Sequence, residues 1–258
     1  MPQPLNRVVP NASFQHNPNV LNDKPKLSKY VASIFAQWGL IEYRLSLLLV
    51  RILGADAEPA LAMFSTLTAQ HLQLGALEAA AKAALSSTEF DIFQAGMDIT
   101  DRVQTPRNHL AHWIWGDCPE LPDALCVADP KMAKERDREF TLALERFDKD
   151  GINVEEFYRL NNPDTASVLV YREGDLERAN RDLEQAGAVT FLTVIYLDGL
   201  FRGRRKPGSP DQLKLTRGHI FQQLSGIQLF REAWDQIQKD RKKSPQSPLG
   251  SPPREPNG

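Results

Sequence analysis

One short run of this 258-residue chain gathers side chains that move protons and hold anions: Arg107-Asn108-His109-Leu110-Ala111-His112. Imidazole exchanges protons near neutral pH and serves as general acid or base. A guanidinium offers phosphate or carboxylate a planar fork of donors. The preceding Thr105-Pro106 resembles a helix start, because Thr can cap free amides and proline is tolerated at the first helical position. A new helix, or a kink in an existing one, is therefore expected there, and its free amides would favour an anion beside Arg107. On such a helix Asn108 and His112, four residues apart, share one face, while His109 and Trp113 share the neighbouring one. Arg107 stands about 140° round from His112. Only its long side chain could reach round to the imidazole, or reach across a symmetric interface.

The elements that must position this run are mostly helical. In Ser28–Leu53 apolar residues recur at three- and four-residue steps from Val31 to Ile52, and Gly54 stops the pattern. Ala57–Leu67 and Leu72–Leu85 read as two shorter helices. Ser86-Ser87 before Thr88-Glu89 offers an N-cap for a fourth, running to about Gln104. Short loops between four helices predict an antiparallel bundle. After Trp115 the pattern breaks at Gly116, Pro119, Pro122 and Pro130, and Ala124–Ala128 and Ser167–Arg172 are short β-branched runs able to pair as a ribbon. Helix spacing returns over Asp175–Phe201, so 116–174 reads as a β-containing insertion in a bundle spanning 27–203. The charged stretch Met132–Arg146 has helical composition and carries little weight.

The ends differ. Residues 1–26 and 242–258, rich in proline and poor in periodic apolar groups, are expected to be a disordered arm and a disordered tail. Between bundle and tail, 204–241 reads as a basic loop and a C-terminal helical segment. Residues 201–258 hold twelve Lys/Arg against five Asp/Glu in a chain of net charge -2, so a polyanion would meet this part first. The two apolar windows, Leu45–Leu53 and Gly187–Phe201, are shorter than the roughly 20 residues that span a bilayer, and charges interrupt both. With two cysteines and no secretory pattern at the start, a soluble, cytoplasmic protein is expected.

Arg, Asn, three residues and His after a long amphipathic helix is the pattern of the HEPN superfamily, which this chain resembles over roughly Ser28–Trp115 and Asp175–Phe201. The resemblance implies a small helical bundle, a homodimer, and in many members a metal-independent RNA endonuclease with one Arg/His pair from each protomer. By that resemblance Arg107 and His112 take the catalytic positions and Asn108 the polar position after the arginine. RNA suits these residue types because it carries its own nucleophile, the ribose 2′-hydroxyl. His112 would take that proton or give one to the leaving 5′-oxygen, and Arg107 would steady the charge on the phosphorane-like transition state. The products would be a 2′,3′-cyclic phosphate and a 5′-hydroxyl. A toxin or defence role, with an inhibitory partner protein, is common to such enzymes. The tyrosine that some HEPN toxins carry two places after the histidine is here Ile114, which argues against control by tyrosine modification at that point.

Other readings of the same residues stay open. A non-catalytic HEPN-like module could bind nucleotide, RNA or a protein partner there. In a purely structural reading, His112 is satisfied in the bundle beside Trp113 and Trp115, and Arg107 pairs with a carboxylate such as Asp101. Arg102 and His109 form a second, looser register, ranked lower because Pro106 falls between them. His109 and Arg102, with the basic cluster Arg202, Arg204 and Arg205, are the expected substrate contacts. Glu42 lies at the edge of the first long helix's apolar face, where it could hydrogen-bond into the site from that neighbouring helix; a solvated surface carboxylate is the simpler expectation. Cys118 and Cys126 are eight apart, an unsuitable spacing for a zinc knuckle, so no metal or cofactor is expected. Phosphate loops, dinucleotide glycine motifs and nucleophile elbows do not occur in the sequence.

Overall fold

The computed structural model of the chain describes residues 1–132, 134–135, 138–139, 141–142, 165–198 and 217–243. It is mainly helical with a small antiparallel sheet at one end. Helix α1 (Leu5–Val8) is a single turn, and α2 (Pro25–Leu53) is the longest described element. Proline at its first turn suits α2, because that amide has no helical acceptor. Gly54 closes it in the left-handed conformation at φ 60°, its N–H donating to the Val50 carbonyl. Helices α3 (Ala57–Thr66) and α4 (Gln70–Ala84) follow as expected. The fourth, α5 (Ser87–His112), is capped reciprocally by Ser86 and Glu89.

Helix α5 does not end at Gln104. It continues through Pro106 to His112, so no new helix starts at Thr105 and no free amides stand beside Arg107. The expected anion-binding helix terminus is thereby corrected. The reason is tertiary: Val103 and Leu110, on either side of the proline, are both buried in the main core, and that packing holds the helix across the lost amide.

Helices α6 (Glu173–Tyr196), α7 (Arg217–Gly226) and α8 (Gln228–Lys243) complete the bundle. Gln37 with Asn180, Arg44 with Gly187 and Arg51 with Asp198 are joined in step along α2 and α6, so these two helices run parallel. The purely antiparallel bundle is thus corrected as well. Helix α5 runs opposite to both, and also to α8, whose Gln238 and Arg241 reach back to Asp91 near the start of α5. The C-terminal segment is part of the same core, with Ile220, Leu224, Phe230 and Ala233 buried in it. Two buried carboxylates tie it down, Glu89 to Arg217 and Asp91 to Arg241, each at 2.8 Å.

The sheet caps the end at which α2 and α6 begin and α5 finishes. Its order is β1 (Gln3–Pro4), β5 (Val168–Tyr171), β4 (Leu125–Ala128), β3 (Ile114–Asp117) and β2 (Gln15–His16), antiparallel throughout. The ribbon expected from 124–128 and 167–172 is its centre, with Cys126 opposite Val170. Residues 1–26, expected to be a disordered arm, instead supply both edge strands. The segment between them covers the outer face, where Leu5, Ala12, Cys126, Val168 and Val170 form a second small core. Alternation along the strands explains this: Leu125, Val127 and Tyr171 face the helices, while their neighbours face outward and need their own cover. Proline is tolerated at position 4 because β1 is an edge. Of Met132–Arg146 only scattered residues are described, and the basic loop and the tail beyond Lys243 lie outside the described residues.

Gly116 marks where that cover comes closest. A Cβ there would overlap the Gln15 carbonyl oxygen and the Phe14 ring, whereas one at Gly75 on α4 would meet nothing within 4 Å. Gly116→Ala is therefore expected to lower unfolding free energy by about 1–3 kcal/mol. Gly75→Ala should raise it by about 0.5–1 kcal/mol. Urea unfolding of the two variants beside the wild type checks both signs.

Candidate functional site

Arg107 projects from α5 toward α2, where one turn of helix places Trp38 above Glu42. The Trp38 indole N–H donates to Glu42 Oε1 at 2.6 Å, fixing the carboxylate. Against this pair lies the Arg107 guanidinium, its carbon 5.4 Å from the Trp38 ring centroid and Nη2 3.8 Å from Glu42 Oε1. Nη1 donates to Asn108 Oδ1 at 3.1 Å. Arg107 is held on an aromatic face by weak, partly solvated contacts, since Glu42 keeps half its surface exposed. Its Nε, by contrast, is buried, and no acceptor among the described residues reaches it. Arg51 and Arg217, both in structural ion pairs, share this state, so it does not by itself mark a site.

His112 lies on the solvent face at the end of α5, and its side chain has no hydrogen bond or ion pair to any other described residue. Arg107 and His112 therefore stand on one helix with different surroundings. Arg107 is brought to Asn108, Trp38 and Glu42, not to His112. The pairing of Arg107 with Asp101 considered above does not occur; Asp101 accepts from Gln104. Neither Trp113 nor Trp115 makes a ring contact with His112 among the described residues: the first lies tilted against His109, ring centroids 4.2 Å apart, and the second donates to the Leu110 carbonyl.

His109 is turned into the junction between bundle and sheet, and Tyr171 on β5 lies with its hydroxyl 2.8 Å from Nδ1. Burial pushes the His109 pKa down, partly opposed by the nearby Asp129 carboxylate, and burial pushes the Tyr171 phenol up. Both groups are thereby kept neutral at neutral pH. The structure places His109 as a joint rather than beside Arg107. Arg102 is separate again: with Pro106, Ala179, Asp182 and Leu229 it lines a cleft of about 140 Å³ between α5, α6 and α8, where burial raises the Asp182 carboxyl. Arg202, Arg204 and Arg205 lie outside the described residues.

Sequence reasoning does not single out Trp38 or Tyr171, and for Glu42 it leaves open both a hydrogen bond into the site and the solvated carboxylate it favours; the structure shows Glu42 in contact with Trp38 and Arg107 and half exposed. Trp38 and Glu42 carry a faint signal, the four-residue spacing that puts an indole donor and a carboxylate on one face. An aromatic residue in a short strand carries none. Cys118 and Cys126 are buried free thiols in the outer core; burial pushes Cys126 up to about 12 and Cys118 upward too, which makes both poor nucleophiles. No cluster with metal-ligand geometry occurs among the described residues, nor any helix long and apolar enough to cross a membrane. Comparison of the chain with protein-family models, with curated proteins and with solved structures finds no match.

The lowered pKa of His109 sets a pH dependence of stability. The unfolded chain binds its proton near pH ~6.5, before the folded chain does, so stability is fully present above that value and is lost as pH falls through the folded pKa. In urea midpoints measured from pH ~8 to ~5, His109→Gln is expected to flatten the acid-side decline. A wild-type midpoint that rose on acidification from the titration of this residue would contradict the assignment.

Proposed function

We propose that this chain is a metal-independent RNA endonuclease of the HEPN type, acting as a homodimer. The observation that carries the reading is the pair of states on one helix: a guanidinium cradled on Trp38 with only a long, partly solvated contact to Glu42, and an exposed His112 side chain with no partner among the described residues. An anion can take the place of the loose Glu42 contact at the first, and the second is free to move a proton. In this mechanism Arg107 exchanges its loose contact with Glu42 for a phosphate oxygen, with Asn108 steering the guanidinium. One His112 takes the 2′-hydroxyl proton as that oxygen attacks phosphorus. The departing 5′-oxygen lies on the opposite side of the phosphorus and gains a proton from a second acid. A single exposed imidazole 140° or so from its arginine does not serve both oxygens, which is the physical reason for requiring a second copy. A toxin or defence role, restrained by an inhibitory protein, belongs to the same proposal.

A non-catalytic module binding nucleotide, RNA or protein at Arg107 draws on the same loosely held guanidinium. It needs no acid–base partner, and the separation of His112 from Arg107 within one copy favours it.

The deciding experiment is cleavage of end-labelled total RNA in excess chelator. Wild type is expected to cut and leave 2′,3′-cyclic phosphates; His112→Ala should lose about 10²–10⁴-fold in rate while keeping its melting temperature. Arg107→Lys is expected not to restore activity, because a point charge lacks the planar fork. RNA bound but uncut by wild type, with His112→Ala binding equally well, would establish the module instead.

A further inference from the structure

We infer that the cleft lined by Arg7, Arg172 and Arg178 is a binding site for a di- or triphosphate group, separate from the Arg107 site and independent of the nuclease reading. The cleft holds about 650 Å³ where the single-turn helix α1, strand β5 and the first turns of α6 meet. Arg7 comes from α1, Arg172 stands at the N-cap of α6, and Arg178 lies on its second turn. All three residues are exposed. None of their guanidinium groups has a carboxylate within ion-pair distance among the described residues.

A cleft lined by one sign of charge focuses its field and concentrates the opposite ion. The acids nearby are engaged. Asp175, the one carboxylate lining the cleft, lies 2.9 Å from the Met1 ammonium and accepts from the Arg172 backbone N–H at 3.2 Å. On α6, Glu173 pairs with Lys26 and Glu177 with Arg181, while Asp182, within the field of Arg178, lines the separate cleft beside Arg102. The Met1 and Asp175 charges offset each other, so the three guanidinium groups present their charge to the cleft.

Arginine's planar fork matches phosphate oxygens two at a time. Three forks in one place suit an anion that concentrates several charges, which a di- or triphosphate does and a single diester of an RNA strand does not. Size agrees, since small-ligand sites span roughly 300–1,000 Å³. Among the described residues no aromatic ring lines the cleft, and its apolar wall is built by aliphatic side chains such as Val8 and Val170. A base would find nothing to stack on. Recognition is therefore of the phosphates alone, free or carried by any nucleoside.

The test is calorimetric titration of the full chain with inorganic tripolyphosphate at physiological ionic strength. Wild type is expected to bind with a dissociation constant below about 0.1 mM. Arg7→Ala and Arg178→Ala should each weaken binding about tenfold or more, with an unchanged melting temperature in the absence of ligand, since both side chains are exposed. Arg181→Ala, on the same helix but paired with Glu177, should leave the affinity as it is. ATP and GTP are expected to displace tripolyphosphate equally well, and AMP poorly, which separates a phosphate-only site from one that reads a base. Weaker wild-type binding or none overturns the proposal, whether the cleft is then found covered by another segment of this chain or by nothing. Affinity that survives Arg7→Ala/Arg178→Ala overturns it too. So does binding of a 5′-hydroxyl RNA strand, but not of tripolyphosphate, that the double substitution abolishes, for the arginines would then serve a nucleic-acid backbone.

Discussion

A proline within a helix removes one amide donor and crowds the carbonyl four residues back, at about 3 kcal/mol, yet α5 passes through Pro106 to His112. That continuity governs the rest of the molecule. Along its length α5 meets α2 on one side and α6 and α8 on another, with Ile92, Ile99, Val103 and Leu110 all buried. Burying such side chains is worth roughly 1.5–3 kcal/mol each against exposure, so the core outweighs the local penalty several times over. The same helix then delivers His109 to the sheet and Arg107 to α2, two destinations that a break at Thr105 would have separated.

The parallel course of α2 and α6 follows from the same arrangement. Helix α5 descends to the sheet, β3 continues from it after Trp113 alone, and the chain leaves β5 at Tyr171 to enter α6 at Glu173. Both α2 and α6 therefore begin at the sheet, and the inserted strands act as the turn that lets the chain climb again beside its first long helix. His109 and Tyr171 sit where the two layers meet, and their hydrogen bond supplies a fixed polar contact in an otherwise apolar seam.

What the sequence made legible was governed by local pattern. The four helices before the insertion, the cap at Ser86 and the paired strands 125–128 and 168–171 all follow from periodicity, capping chemistry and β-branched runs. Three features followed from long-range packing and left no local trace. Pro106 reads as a helix start until the core on both sides of it is known. The segment 3–16 reads as an arm because two-residue strands have no periodicity, and its apolar Leu5 acquires a purpose only against Val168 and Val170. The destination of Arg107 depends on a tryptophan some seventy residues earlier, and the separation of Arg107 from His109 and His112 is a matter of which helix face each occupies. Spacing located the residues with chemistry; it did not say what each would touch.

The sheet's edge strands have a temporal consequence. Synthesis proceeds from the N-terminus, so Gln3–His16 leaves the ribosome before any strand with which it pairs, and β1 must wait for β5, whose Val170 stands opposite Gln3. During that interval the apolar side chains of the early segment have no native cover. Contacts of such sequence separation are slow to form, which casts the outer layer as a late event laid over a bundle already assembled. Residues made before the bundle would settle after it, and a nascent chain would carry an unfinished sheet until α6 begins to emerge.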